Sequence, residues 1–244
     1  MKYGKINLVV KKSESFVFYA TFIADEYKDL KIRKNDIVID FGASIGDFTV
    51  KAGKKLYGTR KIIAIEPNHE NVKLLKENLK LNKINNVEIL ECAITDKDGY
   101  SYLFGNDVGA SLTDIGTGNK IKTMSINTLL NQLDHPKNVV VKMDIEGGER
   151  HIFKNKEFIE SIREIAMELH DKENIDEFPK ILRGNNFKIK KYNSKQEFKN
   201  TLKSILLHPY DFIENEKKTK YVALKGALGA LMGKPLFRLL ITKN

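Results

Sequence analysis

The sequence predicts an α/β fold, a doubly wound and mostly parallel sheet, on three observations. Short apolar runs recur along the chain, amphipathic helical patterns separate the first three of them, and an acidic residue stands at the end of each of the first two. Continuous apolar runs bounded by turn residues read as strands buried on both faces, and such strands need helices on both sides. Strand, helix, strand in repetition implies right-handed parallel crossovers.

The first strand is "DIVIDFGA" (36–43), followed by the helical stretch "FTVKAGKKL" (48–56). "KIIAIEP" (61–67) is the second strand, and "NHENVKLLKENLKLN" (68–82) the second helix, with Val72, Leu75 and Leu79 at helical spacing. Asn68, directly after Pro67, is its expected N-cap. "NVEILECAI" (86–94) is read as one strand; residues 99–120, rich in Gly, Asn, Asp and Thr, as a short edge hairpin or a loop overhanging the ligand site. "KTMSINTLLNQL" (122–133) reads as a short strand feeding a helix, and "NVVVKMDIEG" (138–147) and "IREIAMELH" (162–170) as two further buried strands. Beyond them come a helix near 173–184, a strand "FKIKKY" (187–192) and a weakly patterned tail. The expected division is a lead-in segment (1–35), a ligand-binding core (36–200) and a tail (201–244) that completes the sheet or forms a substrate lid.

Composition narrows the classes. In 244 residues there is one cysteine, Cys92, so an intrachain disulfide framework is excluded; no Cys/His cluster has metal-finger spacing. A reducing cytoplasm fits. The opening residues hold only a short apolar run, so no secretory signal is expected. The late stretch "YVALKGALGALMGKPLFRLLIT" (221–242) is interrupted by Lys225, Lys234, Pro235 and Arg238. It is read as no bilayer span, and at most as a peripheral contact with an anionic membrane. Of the net charge of +10, residues 171–244 contribute +8, from 16 Lys and Arg against 8 Asp and Glu. Such an excess attracts polyanions or merely solvates a lysine-rich surface.

In sheets of this kind ligands gather at the carboxyl ends of the strands. The turn "VIDFGASIGDF" (38–48) sits there, with Gly42 and Gly46 but no G-x-G-x-x-G and no Gly-Lys-Ser/Thr. A pyrophosphate site is therefore disfavoured. Asp40 also places a carboxylate where a pyrophosphate would repel it, whereas a cationic ligand gains from it. S-adenosylmethionine fits, with an ammonium, a sulfonium and a small carboxylate that backbone N–H groups near the helix start can meet. The residues expected to hold it are Asp40, Phe41, Gly42, Ala43, Ser44 and Gly46 at the turn. Glu66, with Pro67 and Asn68, follows at the second strand end, where an acid can accept ribose hydroxyls. Cys92 and Ala93 lie after the third, near the adenine.

With these motifs in place, the chain resembles the FkbM-type family of S-adenosylmethionine-dependent methyltransferases. The resemblance runs from about Tyr27 to His170 through "YKDLKIRKNDIVIDFGASIGDFT", "IIAIEPNHENVKLLKENLKLN", "GASL" (109–112), "VVVKMDIEGGE" (139–149) and "IAMELH" (165–170). It implies a class I methyltransferase fold of seven strands with the last antiparallel, cofactor contacts at Asp40, Gly42, Gly46 and Glu66, and O-methylation of secondary metabolites or glycan sugars. Ser44 departs from the family's usual Asn; both side chains can hydrogen-bond the methionine end. Beyond His170 the match is poor, which leaves the acceptor to be identified.

For the chemistry, the fourth strand offers Lys142, Asp144 and Glu146, which share a side if the strand stays extended. Asp144 is the expected neighbour of the methyl group and a further cofactor contact; Lys142 either pairs with Asp144 or meets substrate. The fifth strand offers Glu168 and His170. His170 is preferred as general base, because an imidazole pKa near 6.5 suits proton removal at neutral pH. Asp144, Glu146 and Glu168 could together hold Mg²⁺, but no spacing requires a metal and none is expected. The reading is therefore an O-methyltransferase acting on a small molecule, sugar or lipid-linked glycan. An RNA methyltransferase is the rival, on the basic last third with Lys188, Lys190, Lys191 and Lys195 interleaved by Phe187 and Tyr192. It is disfavoured, because no Asn-Pro-Pro-Tyr-like motif and no second RNA-binding module appear. A cofactor-binding protein without catalysis is a third class.

Overall fold

Five of the apolar runs become the parallel strands at the centre of the fold. The structure is a computed structural model and describes residues 1–11, 15–56, 61–104, 111–113, 118–145, 148–169, 172–192 and 237–243. β1 (Lys2–Tyr3) and β2 (Ile6–Asn7) form a small hairpin, and α1 (Ser15–Phe18) runs into a π-helical turn at Tyr19–Ile23. β3 (Ile37–Phe41), α2 (Asp47–Leu56), β4 (Ile62–Ile65), α3 (His69–Leu81) and β5 (Val87–Leu90) follow as two crossovers. Next come β6 (Ala93–Thr95), β7 (Gly99–Phe104), β8 (Ser111–Thr113), β9 (Asn119–Ser125), α4 (Ile126–Gln132) and β10 (Val139–Met143). α5 (Glu149–Phe153), α6 (Lys156–Ser161), β11 (Ile162–Leu169), α7 (Lys172–Gly184), β12 (Phe187–Tyr192) and β13 (Phe237–Lys243) complete the described chain.

The main sheet has the order β12-β13-β11-β10-β3-β4-β5. Strands β11, β10, β3, β4 and β5 pair in parallel, and β13 runs antiparallel to both β11 and β12. The strand order reverses between β3 and β10, so the crevice expected to take a ligand lies at their carboxyl ends. Alternation sends Ile39, Phe41, Ile63, Ile65, Val141 and Met143 to one face, where they pack with Leu129, Leu130, Ile152, Phe158 and Phe178 of the second helical layer. Val38, Ile62 and Val140 face the other side, against Phe48 and Ala52 of α2, while Ala64 meets Leu75 and Leu79 of α3.

Local chemistry explains where elements start and stop. Asn68 caps α3 as its sequence position predicts, its side chain accepting from the N–H groups of Glu70 and Asn71. Two expectations need correction. The run 86–94 is not one strand: it breaks after Leu90, where Cys92 N–H donates back to Leu90 O at 3.0 Å, and Ala93–Thr95 joins a different sheet. Residues 99–120 are more than an edge hairpin, since β7 and β8 belong to a four-stranded sheet of order β6-β9-β7-β8. Alternating polar and apolar residues in β7 and β9 suit a sheet with one wet face, a weaker signal than a continuous apolar run.

Residues 193–236, which include most of the 201–244 tail, lie outside the described residues. Its end does not lie on a surface: β13 sits inside the sheet with Leu239 and Ile241 buried. No described helix is long and apolar enough to cross a membrane.

Candidate active site

The turn after β3 is shaped by the chain's contact with itself. Gly42, Ser44 and Gly46 adopt φ of +73°, +48° and +84°, left-handed conformations that favour glycine. A Cβ on Gly42 would stand 2.0 Å from Asp144 O, and one on Gly46 2.2 Å from Leu75 Cδ1. These glycines let the β3 turn touch the β10 end and α3. Gly42 N–H and Ala43 N–H both donate to Ile65 O at 3.0 Å, which ties the turn to β4.

Beneath the turn lies a buried charged cluster. Asp40 is fully buried; its Oδ2 accepts from Thr49 Oγ1 at 2.6 Å, and its Oδ1 lies 3.3 Å from Lys142 Nζ. Lys142 also donates to Gly42 O, 2.6 Å away, so its ammonium bridges Asp40 and the glycine turn. Burial opposes the charge on Lys142, yet the carboxyls of Asp40, Asp144 and Asp47 hold its pKa above the ordinary lysine value. Asp47, at the start of α2, accepts a hydrogen bond from Thr21 of the π-helical turn. Burial raises its pKa to about 7, against the lowering effects of Lys142 and Thr21. Three carboxyls thus share one ammonium.

At the end of β4, Glu66 is buried and its pKa raised by desolvation. Its Oε2 accepts from Ser44 N–H at 2.8 Å, and its Oε1 from Asn68 N–H at 2.9 Å and Asn71 Nδ2 at 3.4 Å. Three of the carboxylate's roughly four acceptor sites are thereby used, which leaves room for a further donor on Oε2. Glu66 therefore links the glycine turn to the start of α3, and Pro67 lies half-buried between.

The other expected residues fall in several places. Phe41 points to the opposite face, edge-on to Phe158 with centroids 5.8 Å apart, so only its backbone faces the turn. Cys92 is buried and its thiol pushed up to about 11 by desolvation, which leaves it inert as a nucleophile at neutral pH. Ala93 is buried at the start of β6. Asp144 is half-buried just past β10, its N–H donating to Phe41 O at 3.1 Å. Glu168 is half-buried in β11, one pleat beyond Ala166, the register partner of Lys142. Glu146 and His170 lie outside the described residues, so their geometry and the Asp144, Glu146, Glu168 trio are not described. Among the described residues no group of three or more His, Cys, Asp or Glu is placed to hold a metal ion.

Sequence reasoning missed Thr49, Asp47 and Thr21. Asp47 reads in sequence as an ordinary first-turn acid favoured by the helix dipole, and Thr49 as a neutral helix residue; only the fold brings both against Asp40 and Lys142. The basic patch of the rival reading is also altered. Phe187 and Tyr192 are buried, and Lys190 pairs with Asp29 at 3.0 Å, so these rings offer no exposed stacking surface.

A family model described as the methyltransferase FkbM domain matches residues 40–189. A precorrin-6y C5,15-methyltransferase from Geobacter metallireducens GS-15 superposes with a TM-score of 0.52 at 14% identity, over 99% of this chain and 98% of its own. The methyltransferase FkbM of Methylobacillus flagellatus KT gives a TM-score of 0.49 at 19% identity, over 71% of this chain and 44% of its own. No curated protein matches the sequence. The strand order and the first of these likenesses show the class I methyltransferase fold.

Proposed function

This chain belongs to the FkbM methyltransferase family, and we propose that it transfers the methyl group of S-adenosylmethionine to a hydroxyl on a small molecule or sugar, including the sugar of a lipid-linked glycan. The observation that carries the cofactor part is the acidic cluster: Asp40, Asp47 and Asp144 around Lys142 leave an excess of negative charge at the switch point. A pyrophosphate would be repelled there, and a ligand with an ammonium and a sulfonium is attracted. Asp40, paired with Lys142 beneath the turn, is the most deeply buried of these carboxyls. Glu66, with acceptor capacity left on Oε2, suits a ribose hydroxyl.

The cofactor supplies an electrophilic methyl on a sulfonium that leaves as a neutral thioether. What the chain contributes is position, desolvation and the fate of one proton. The acceptor oxygen must be held in line with the methyl carbon, and such alignment is the largest available contribution to rate. The hydroxyl proton passes to a base at the strand ends, worth about 10²–10⁴-fold. We assign His170 as that base ahead of Asp144, and His170→Gln is expected to lower kcat about 100-fold with cofactor binding intact.

Calorimetric titration of S-adenosylmethionine into wild type, Glu66→Gln and Asp40→Asn tests the cofactor. Micromolar binding, weakened about tenfold or more in each variant, is expected for loss of hydrogen bonds to a charged group. A wild-type protein that binds neither this cofactor nor its demethylated product overturns the reading. Transfer of labelled methyl to nitrogen or carbon, with no transfer to sugar or small-molecule hydroxyls, would refute the O-methylation part.

A further inference from the structure

The outer face of the second sheet plays no part in the site described above. Along β7, Tyr100, Tyr102 and Phe104 alternate and share one face. Tyr100 is 64% and Phe104 61% exposed. The antiparallel register places Lys122 opposite Tyr100 and Lys120 opposite Tyr102, and such partners point to the same side. Lys120 Nζ also stands 4.5 Å from the Tyr100 ring centroid. On the other face Leu103 and Ile121 are buried with Ala93, so β7 has its own apolar contact and the rings are not needed for it.

This face is basic as well as aromatic. Neither β7 nor β9 contains an acidic residue. In the preceding turn, Asp98 is engaged by Ser125 N–H at 2.8 Å and Thr128 Oγ1 at 2.6 Å. Large exposed rings grouped on one surface are a mark of a binding face rather than of chance exposure.

We infer that the β7–β9 face is a docking surface for an anionic saccharide. Sugar rings stack their C–H faces on Tyr100, Tyr102 and Phe104, and their carboxylate or phosphate groups meet Lys120 and Lys122. Alternate residues on a strand are about 7 Å apart, so the two cations span a short saccharide. Faces that track single-stranded nucleic acid cover about 4–16 nucleotides with a longer run of positive charge. As a holding surface for the methyl acceptor, this proposal rests on the methyltransferase reading; saccharide binding itself does not require the cofactor.

The test is binding of a fluorescently labelled, sulfated heparin tetrasaccharide at low ionic strength, with maltotetraose and oligo(U) as competitors. Two double variants are compared with wild type, Tyr100→Ala/Phe104→Ala and Lys120→Gln/Lys122→Gln, each checked by thermal melting. The expected result is wild-type binding that weakens at least tenfold in both variants, with maltotetraose a poorer competitor than the unlabelled anionic sugar. S-adenosylmethionine binding should be unchanged in the ring variant. No wild-type binding, binding indifferent to the ring variant, or a preference for oligo(U) that depends on the same residues each overturns the proposal; the last assigns the face to nucleic acid. Loss of cofactor binding in wild type would instead count against the methyltransferase reading and leave the saccharide result standing.

Discussion

The strand ends of β3, β4 and β10 and the outer face of β7 and β9 use similar residue types in opposite ways. At the strand ends the charged groups are turned inward, with Asp40, Asp47, Glu66 and Lys142 all buried and held by named partners. On β7 and β9 the rings and lysines are turned outward, and among the described contacts Lys120 over Tyr100 joins one to the other. In the first region each residue's identity answers to its neighbours in the chain. In the second it answers to something outside it. Substitutions should therefore separate the two regions by what they change: folding and its pH dependence in one, ligand capture in the other.

The largest effect is expected at Gly42. Alanine there would set a Cβ 2.0 Å from Asp144 O in a backbone of positive φ, and both the turn and the β10 end would have to move. We expect a loss of more than about 4 kcal/mol in urea unfolding; a change near zero would mean that the turn does not pack on β10 as described.

A smaller effect, visible through pH, is expected at Asp47. Its carboxyl titrates higher in the folded state, at about 7, than the ordinary aspartate value of 3.8, so the folded state binds more protons between these values. Wild-type stability should therefore fall as pH rises through that window, and the deficit stays above it. From pH 5 to pH 8 the term is about 3 kcal/mol. Asp47→Asn should remove that fall, measured by denaturant midpoints at the two pH values; parallel profiles for the two proteins would exclude Asp47 as the source.

The smallest stability effects belong to the exposed face. Tyr100→Ala and Phe104→Ala should each shift the unfolding free energy by about 0.5 kcal/mol or less, as solvent-facing substitutions do. A cost of about 3 kcal/mol, the size found for buried aromatics, would show that these rings are part of a core and would erase the contrast between the regions.

Much of the central region is legible in the chain because burial writes a dense signal. The β3, β4, β10 and β11 runs are apolar on both faces, and Asn68 declares the start of α3 by its side-chain chemistry. Asp40 and Glu66 stand out because an acid at the end of an apolar run needs an explanation. The break at Glu91 was harder to see, since "EILECAI" keeps the apolar character of a strand across a change of sheet. Lys142 shows the same limit: alternation places it beside Asp144 in sequence, while its hydrogen bond goes to Gly42 O, a hundred residues away.

By itself, then, the sequence determined the α/β class, the parallel crossovers, the acids at two strand ends and the family, since these rest on local periodicity, turn chemistry and short ordered motifs. Only the tertiary structure decided which carboxyls share Lys142, why Gly42 and Gly46 must lack side chains, that the chain's last strand lies inside the sheet, and that Tyr100 and Phe104 face solvent while Phe187 and Tyr192 do not. Those outcomes depend on contacts between residues far apart in the chain, and on which face of a strand is covered, neither of which a local pattern encodes.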